Sequence, residues 1–198
     1  MDLTRPGMKD TPARMARAYA ELFSPRPLRA THFPNGEHYD QMVLAKQIPF
    51  TSICEHHMLP FTGVAYLGYL PGDRILGLSK LARLVEHFAA APQMQERLTK
   101  QIAEWLNEHL QPGGVGVVLQ AEHTCMTLRG VQAHDARMIT SELLGALRDD
   151  PAARGEFYAL TGVARTRPFP TTVTGLPDRH HRGALGLVDS AGIAELAS

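Results

Sequence analysis

The sequence predicts an α+β fold with a largely antiparallel sheet. Three observations carry that expectation. A strand pattern, GVAYLGYL over residues 63–70, closes on the turn Pro71-Gly72-Asp73. Two helical patterns then follow back to back over residues 80–110, without the regular strand and helix alternation of a parallel sheet. A second long strand pattern, VGVVLQAEHTCMTL, occupies residues 115–128.

Taken in chain order, residues 11–24 read as a first helix. Thr11 serves as cap, Pro12 suits the first turn, and Met15, Tyr19 and Leu22 recur at helical spacing until Ser24-Pro25-Arg26-Pro27 ends the run. Residues 31–47 begin as loop, with Pro34-Asn35-Gly36 as a turn signal, and Met42 to Ile48 opens the sheet. After the strand at 63–70, Ser79 precedes LARLVEHFAAA, in which Leu81, Leu84, Val85 and Phe88 form one apolar stripe. Residues 93–110 form the next helix, striped by Met94, Leu98, Ile102, Trp105 and Leu106 and stopped by Pro112-Gly113-Gly114. The strand at 115–128 is interrupted at Gly130. Residues 140–147 and 151–160 read as two short helices. From residue 161 the composition turns to Pro, Gly, Thr and Arg without a period, so residues 1–160 are expected to form the domain and 161–198 a flexible tail, with at most a helical turn over 193–197.

Bulk composition narrows the function. The chain has 198 residues, of which 44% are hydrophobic and 20% charged, enough for a sizeable core and contrary to wholesale disorder. Lys+Arg and Asp+Glu both number 20, so the net charge is zero. No global field draws nucleic acid or an anionic membrane, and a polyanion must be met by a local cluster of cations. The N-terminal MDLTRPGMKD carries no apolar signal segment and no run approaches a membrane span, which leads to the expectation of a cytoplasmic protein. In a reducing compartment the two cysteines are metal ligands or free thiols rather than a disulfide.

The chemistry concentrates in Cys54-Glu55-His56-His57 and His123-Thr124-Cys125. Cys54 and His57, three apart, can face one point on a tight turn. On a strand, His123 and Cys125 share a face. Two thiolates and an imidazole suit zinc, and three protein ligands leave a tetrahedral ion one open position, the arrangement of a catalytic site. Spacing alone serves equally well for two buried free thiols beside packed histidines. The additional His56 and His123, candidates for proton transfer, favour the metal site.

The runs TSICEHHMLPF, LGLSKLARLVEHF, QMQERLTKQI and EHTCMTLRG, in this order, with TPARMARAY before them and TSELLGAL after, resemble GTP cyclohydrolase I over residues 8–160. The resemblance implies the tunnelling fold and a toroidal homodecamer with active sites between subunits. It implies Cys54, His57 and Cys125 as zinc ligands, and His56 and His123 as the proton-shuttling pair. Glu96 matches the carboxylate that grips guanine, where two acceptor oxygens meet N1–H and the 2-amino group. Gln95 is expected beside it in the base pocket. Ser79 and Lys80 at a helix start, Arg83 one turn on, Arg129, and Arg14 with Arg17 on the first helix are expected to hold the triphosphate. The implied reaction is hydrolytic opening of the GTP imidazole ring at C8, loss of formate and reclosure to 7,8-dihydroneopterin triphosphate. Three other readings stand beside it: a paralogue with a different product, a degenerate regulatory member, and another purine- or pterin-handling tunnelling-fold protein. The intact His56, His123 and Glu96 weigh against the second, and the CEHH and HTC pair against the third. Residues 132–138 and the tail depart from the resemblance; its His180-His181 pair reads as exposed.

Overall fold

A strand that must bury one face needs a second layer, and here two amphipathic helices supply it. The computed structural model describes residues 4–163; the expected tail, its His180-His181 pair and the helical turn over 193–197 lie outside the described residues. Strands β2 (Val43–Cys54), β3 (Leu59–Leu70), β6 (Gly114–His123) and β7 (Met138–Gly145) form an antiparallel ladder in that spatial order. The two-residue β5 (Pro92–Gln93) pairs parallel to the end of β2, Cys54 opposite Gln93. A separate small sheet joins β1 (His32–Pro34) to β4 (Arg74–Leu76). Helices α2 (Leu78–Ala89) and α3 (Gln95–Leu110) pack on one face of the large sheet. This is the α+β architecture expected, a largely antiparallel sheet with a helical layer on one face.

The core follows from the two periods. Alternate residues of β6, Val115, Val117, Leu119 and Ala121, meet Leu81, Leu84 and Val85 of α2 and Leu98, Ile102 and Leu106 of α3, all buried. Each such side chain, fully removed from water, contributes about 1.5–3 kcal/mol. The stripes read from the sequence are therefore the helical core faces, with Phe88 and Trp105 at their partly buried margins.

The opposite sheet face is covered at one end. Helices α5 (Ala146–Asp149) and α6 (Pro151–Thr161) place Leu147 and Phe157 against Tyr66 and Val118. Gly68 and Gly116 admit the Phe157 ring: a Cβ built on either would lie 2.9 or 2.8 Å from ring carbons.

Several expectations are corrected. Residues 140–147 do not form one helix: 140–145 lie in β7, paired with β6, and the helix α5 begins only at Ala146. TSELLGAL carries Leu143, Leu144 and Leu147 at a spacing that suits a helix. The open edge of β6 decides, because pairing outweighs a weak helix propensity. The strand expected over 115–128 ends at His123, and Thr124–Thr127 forms a helical turn, α4, with Thr124 Oγ1 donating to the Pro60 carbonyl at 2.5 Å. Thr11 and Ser79 are not caps: α1 (Thr11–Leu22) and α2 start at Thr11 and Leu78, preceded by Asp10 and Gly77, without a capping side chain. Gln93 belongs to β5, and α3 begins at Gln95.

Candidate metal centre and active site

The ligand candidates come together where β2 ends and β6 ends. Antiparallel pairing sets Phe61 of β3 opposite His123, and Cys54 closes β2 beside it. The chain then turns tightly through 55–58, with the Met58 N–H donating to the Cys54 carbonyl at 2.9 Å and Met58 at φ 52°. Tyr19 on α1 donates its hydroxyl to the Met58 carbonyl at 2.7 Å, pinning that turn from outside. On the other side, the helical turn α4 swings Cys125 towards Cys54. His123 and Cys125 therefore meet the site through a strand end and a helical turn, not through one strand face.

One ligand atom each from Cys54, His57 and Cys125 lies within 4.8 Å of the others, a group among the described residues that could hold a metal ion. Cys54 Sγ is 4.0 Å from Cys125 Sγ and 3.8 Å from His57 Nδ1. Two donors each about 2.3 Å from a shared tetrahedral ion stand about 3.7 Å apart, so the donor set fits zinc with little movement. His56 Nδ1 also approaches Cys54 Sγ, at 3.7 Å, but stays outside the mutual cluster. Burial and the neighbouring Cys54 sulfur push the Cys125 thiol up. A cation between the sulfurs reverses that balance, because a coordinating thiol is deprotonated outright.

Around this centre the other predicted residues divide. His123 is half-buried, its ring stacked on Phe61 with centroids 4.4 Å apart and planes 5° from parallel. Burial lowers its pKa, and the nearby Glu96 carboxylate opposes that shift. Glu96 is exposed in the first turn of α3, and Arg129 lies close enough to Cys125 to act on its thiol. Gln95 is 3% exposed, and its side-chain amide is held by protein groups.

The remaining residues expected at the triphosphate lie on α1 and α2. Ser79, Lys80 and Arg83 lie on the first two turns of α2, which follows β4 from the Leu70 end of the sheet; the metal cluster occupies the Leu59 end. The twelve residues of α2 separate those ends by about 18 Å. Arg14 turns back to the Gly7 carbonyl at 2.8 Å and to Thr11 Oγ1 at 3.2 Å, and Arg17 is exposed on α1. The chain thus gathers Cys54, His57 and Cys125 with His56, His123, Glu96 and Arg129, while Ser79 and Lys80 stand at the far end of α2.

The motif reading passed over one pair. Arg97 binds Glu55 in a bidentate ion pair, and the only sequence signal was a charged residue inside each motif.

A sequence profile described as GTP cyclohydrolase I matches residues 1–162. The chain belongs to the GTP cyclohydrolase I family. It is 48% identical over 162 residues to proteins named GTP cyclohydrolase 1 from Bacillus cytotoxicus, Bacillus mycoides and Bacillus cereus, covering 80% of this chain and 86% of each relative. Among solved structures, archaeosine synthase QueF-Like in the apo form matches with a TM-score of 0.44 and 14% identity, over 52% of this chain and 93% of that one. This member of the GTP cyclohydrolase I family is therefore an enzyme by kinship. Among the described residues no helix is long and apolar enough to cross a membrane.

Proposed function

We propose that the protein is a zinc enzyme that hydrolyses GTP at C8, releases formate and forms 7,8-dihydroneopterin triphosphate, the first step of tetrahydrofolate and pterin biosynthesis. One observation carries the reading: two sulfurs and an imidazole, distant in sequence, share one 4.8 Å cluster beside His123 in a chain of this family. Cys54, His57 and Cys125 would hold zinc, which when bound supplies an activated water and Lewis acidity.

The chain's own residues do the rest. His56, exposed on the turn, and His123, half-buried on its Phe61 platform, exchange protons with the substrate as the ring opens and recloses. Glu96 has no hydrogen bond or ion pair among the described residues, so its carboxylate is available to the guanine edge. Gln95 lines the same corner, but its amide is committed inward. Arg129 beside Cys125 meets the nearest part of the triphosphate.

Ser79 and Lys80 start α2 about a helix length from the metal cluster of their own chain, so together with Arg83, Arg14 and Arg17 they would complete the anion site of a neighbouring copy. That separation supports active sites between subunits of a homo-oligomer, the decamer of the family. Working in the cytoplasm, the enzyme needs no nucleic acid or membrane partner. Residues 1–160 carry the activity, and deletion of 165–198 is expected to leave GTP turnover unchanged.

The test is incubation of the zinc-loaded protein with GTP, with and without a chelator. Stoichiometric formate and a fluorescent oxidised pterin, both abolished by chelation, are expected. Turnover that stops at a formylated ring-opened product would instead assign a different reaction.

A further inference from the structure

The hydrogen-bond directions around Gln95 can be assigned completely. Its Nε2 lies 3.2 Å from the Leu119 carbonyl and 3.1 Å from the Met138 carbonyl, and neither of these can donate. The third neighbour, Thr140 Oγ1 at 3.1 Å, is also restricted to accepting. Thr99 gives its hydroxyl hydrogen to the Gln95 backbone carbonyl at 2.7 Å. In the 2.6 Å contact between the two threonines, Thr140 must therefore be the donor, and it has no hydrogen left for Gln95. Three pure acceptors fix the amide nitrogen on their side. Gln95 Oε1 consequently faces His123 Nε2, at 2.8 Å. An amide oxygen only accepts, so Nε2 carries the hydrogen.

We infer that Gln95 is a positioning residue that locks neutral His123 as its Nε2–H tautomer, leaving Nδ1 without a hydrogen. Two protein groups then fix the imidazole: the Phe61 face sets the ring plane, and Gln95 sets which nitrogen bears hydrogen. In the opposite tautomer the lone pairs of Nε2 and Oε1 would face each other at hydrogen-bond distance. Buried Thr99, half-buried Thr140 and two backbone carbonyls of β6 and β7 hold Gln95 in this orientation, which explains a buried glutamine at the first position of α3. The inference replaces the base-pocket contact expected for the Gln95 side chain. It rests on the proposed proton transfer by His123 for its kinetic consequence, but not for the tautomer itself.

The experiment has a spectroscopic and a kinetic arm. The zinc-loaded full-length protein, labelled with 15N-histidine, is measured by solid-state NMR at about pH 8.5, above the usual imidazole pKa. The His123 signals are identified by their loss in His123→Ala. A protonated Nε2 and an unprotonated Nδ1 are expected; the reverse pattern overturns the inference whatever the variants do. In Gln95→Met, which keeps length but offers no acceptor, the His123 signals should show both tautomers. Its kcat should fall by about tenfold to a hundredfold, with KM for GTP within about twofold, since a proton-transferring group is worth about 10²–10⁴ and only its tautomer population is altered. A raised KM with unchanged kcat would return Gln95 to the base pocket, and unchanged kinetics would also overturn the inference. Failure of the wild type to release formate would remove the proposed function but leave the tautomer assignment standing.

Discussion

The guanidinium of Arg97 closes on the carboxylate of Glu55 as a fork, Nη1 to Oε2 at 2.6 Å and Nη2 to Oε1 at 2.9 Å. Glu55 stands between Cys54 and His56, and Arg97 follows Glu96. The pair therefore ties the turn that carries two candidate ligands to the helix start that carries Glu96, the carboxylate proposed for guanine. The guanidinium also holds the Glu55 carboxyl below its usual range. Groups that orient metal ligands typically cost about 10–100-fold in metal affinity or activity when removed. Arg97→Ala is accordingly expected to lose zinc to a competing chelator at about tenfold lower chelator concentration. Arg97→Lys should recover little, because an ammonium cannot reproduce the fork. Wild-type zinc retention in Arg97→Ala would reduce the pair to surface decoration.

Ligand and proton-shuttle roles separate by metal content. Cys125→Ala removes one of three donors and should purify with little zinc and no turnover. His56→Ala should keep about one zinc per chain while turnover falls by about 10²-fold or more, the scale of a lost general acid or base. Elemental analysis alongside formate release decides both. Full zinc occupancy in Cys125→Ala would remove that residue from the ligand set, and wild-type turnover in His56→Ala would remove His56 from the chemistry.

The second sheet face yields a stability prediction. A Cβ at Gly116 would lie 2.7 Å from a Leu147 methyl and 2.8 Å from the Phe157 ring. Both neighbours are fully buried and have little room to yield. Gly116→Ala should therefore destabilise by about 1–3 kcal/mol through overpacking. Adding Phe157→Leu should recover part of that loss, although Phe157→Leu alone destabilises. Additive losses in denaturant titrations would mean that the ring and the glycine do not share a contact.

The site was more legible in the sequence than the path of the chain through it. Cys54, His57 and Cys125 could be named because zinc demands particular donors, and those donors sit in distinctive runs. The helical stripes of α2 and α3 were legible because Leu81, Leu84, Leu98 and Ile102 obey one period. Cys125 is expected on a strand because apolar residues still recur at Met126 and Leu128; nothing local announces that Thr124 will bond to Pro60 and start a turn. The β7 segment failed for a related reason. Its partner β6 is distant in sequence, and strand pairing is settled by that partner rather than by the segment's own residues. The Gln95 network is likewise invisible in sequence, because its members come from three separate elements, α3, β6 and β7.

Tyr69 gives the alkaline limit of stability. It is 1% exposed, and its hydroxyl accepts the Leu76 N–H at 3.1 Å, joining β3 to β4. Burial raises its pKa above the ordinary 10.0, with the Leu76 hydrogen bond opposing in part. The folded state therefore prefers the neutral phenol more than the unfolded chain does. That preference is fully present below the ordinary value and is lost as pH rises through the higher folded value. Tyr69→Phe abolishes the ionisation but leaves the Leu76 N–H without a partner, at a cost of about 1–3 kcal/mol. At neutral pH the variant should melt below the wild type. Above about pH 10 the wild type should fall faster, so the two melting curves converge. Parallel curves from pH 7 to 11 would show that Tyr69 ionises as readily in the folded protein as in the unfolded one.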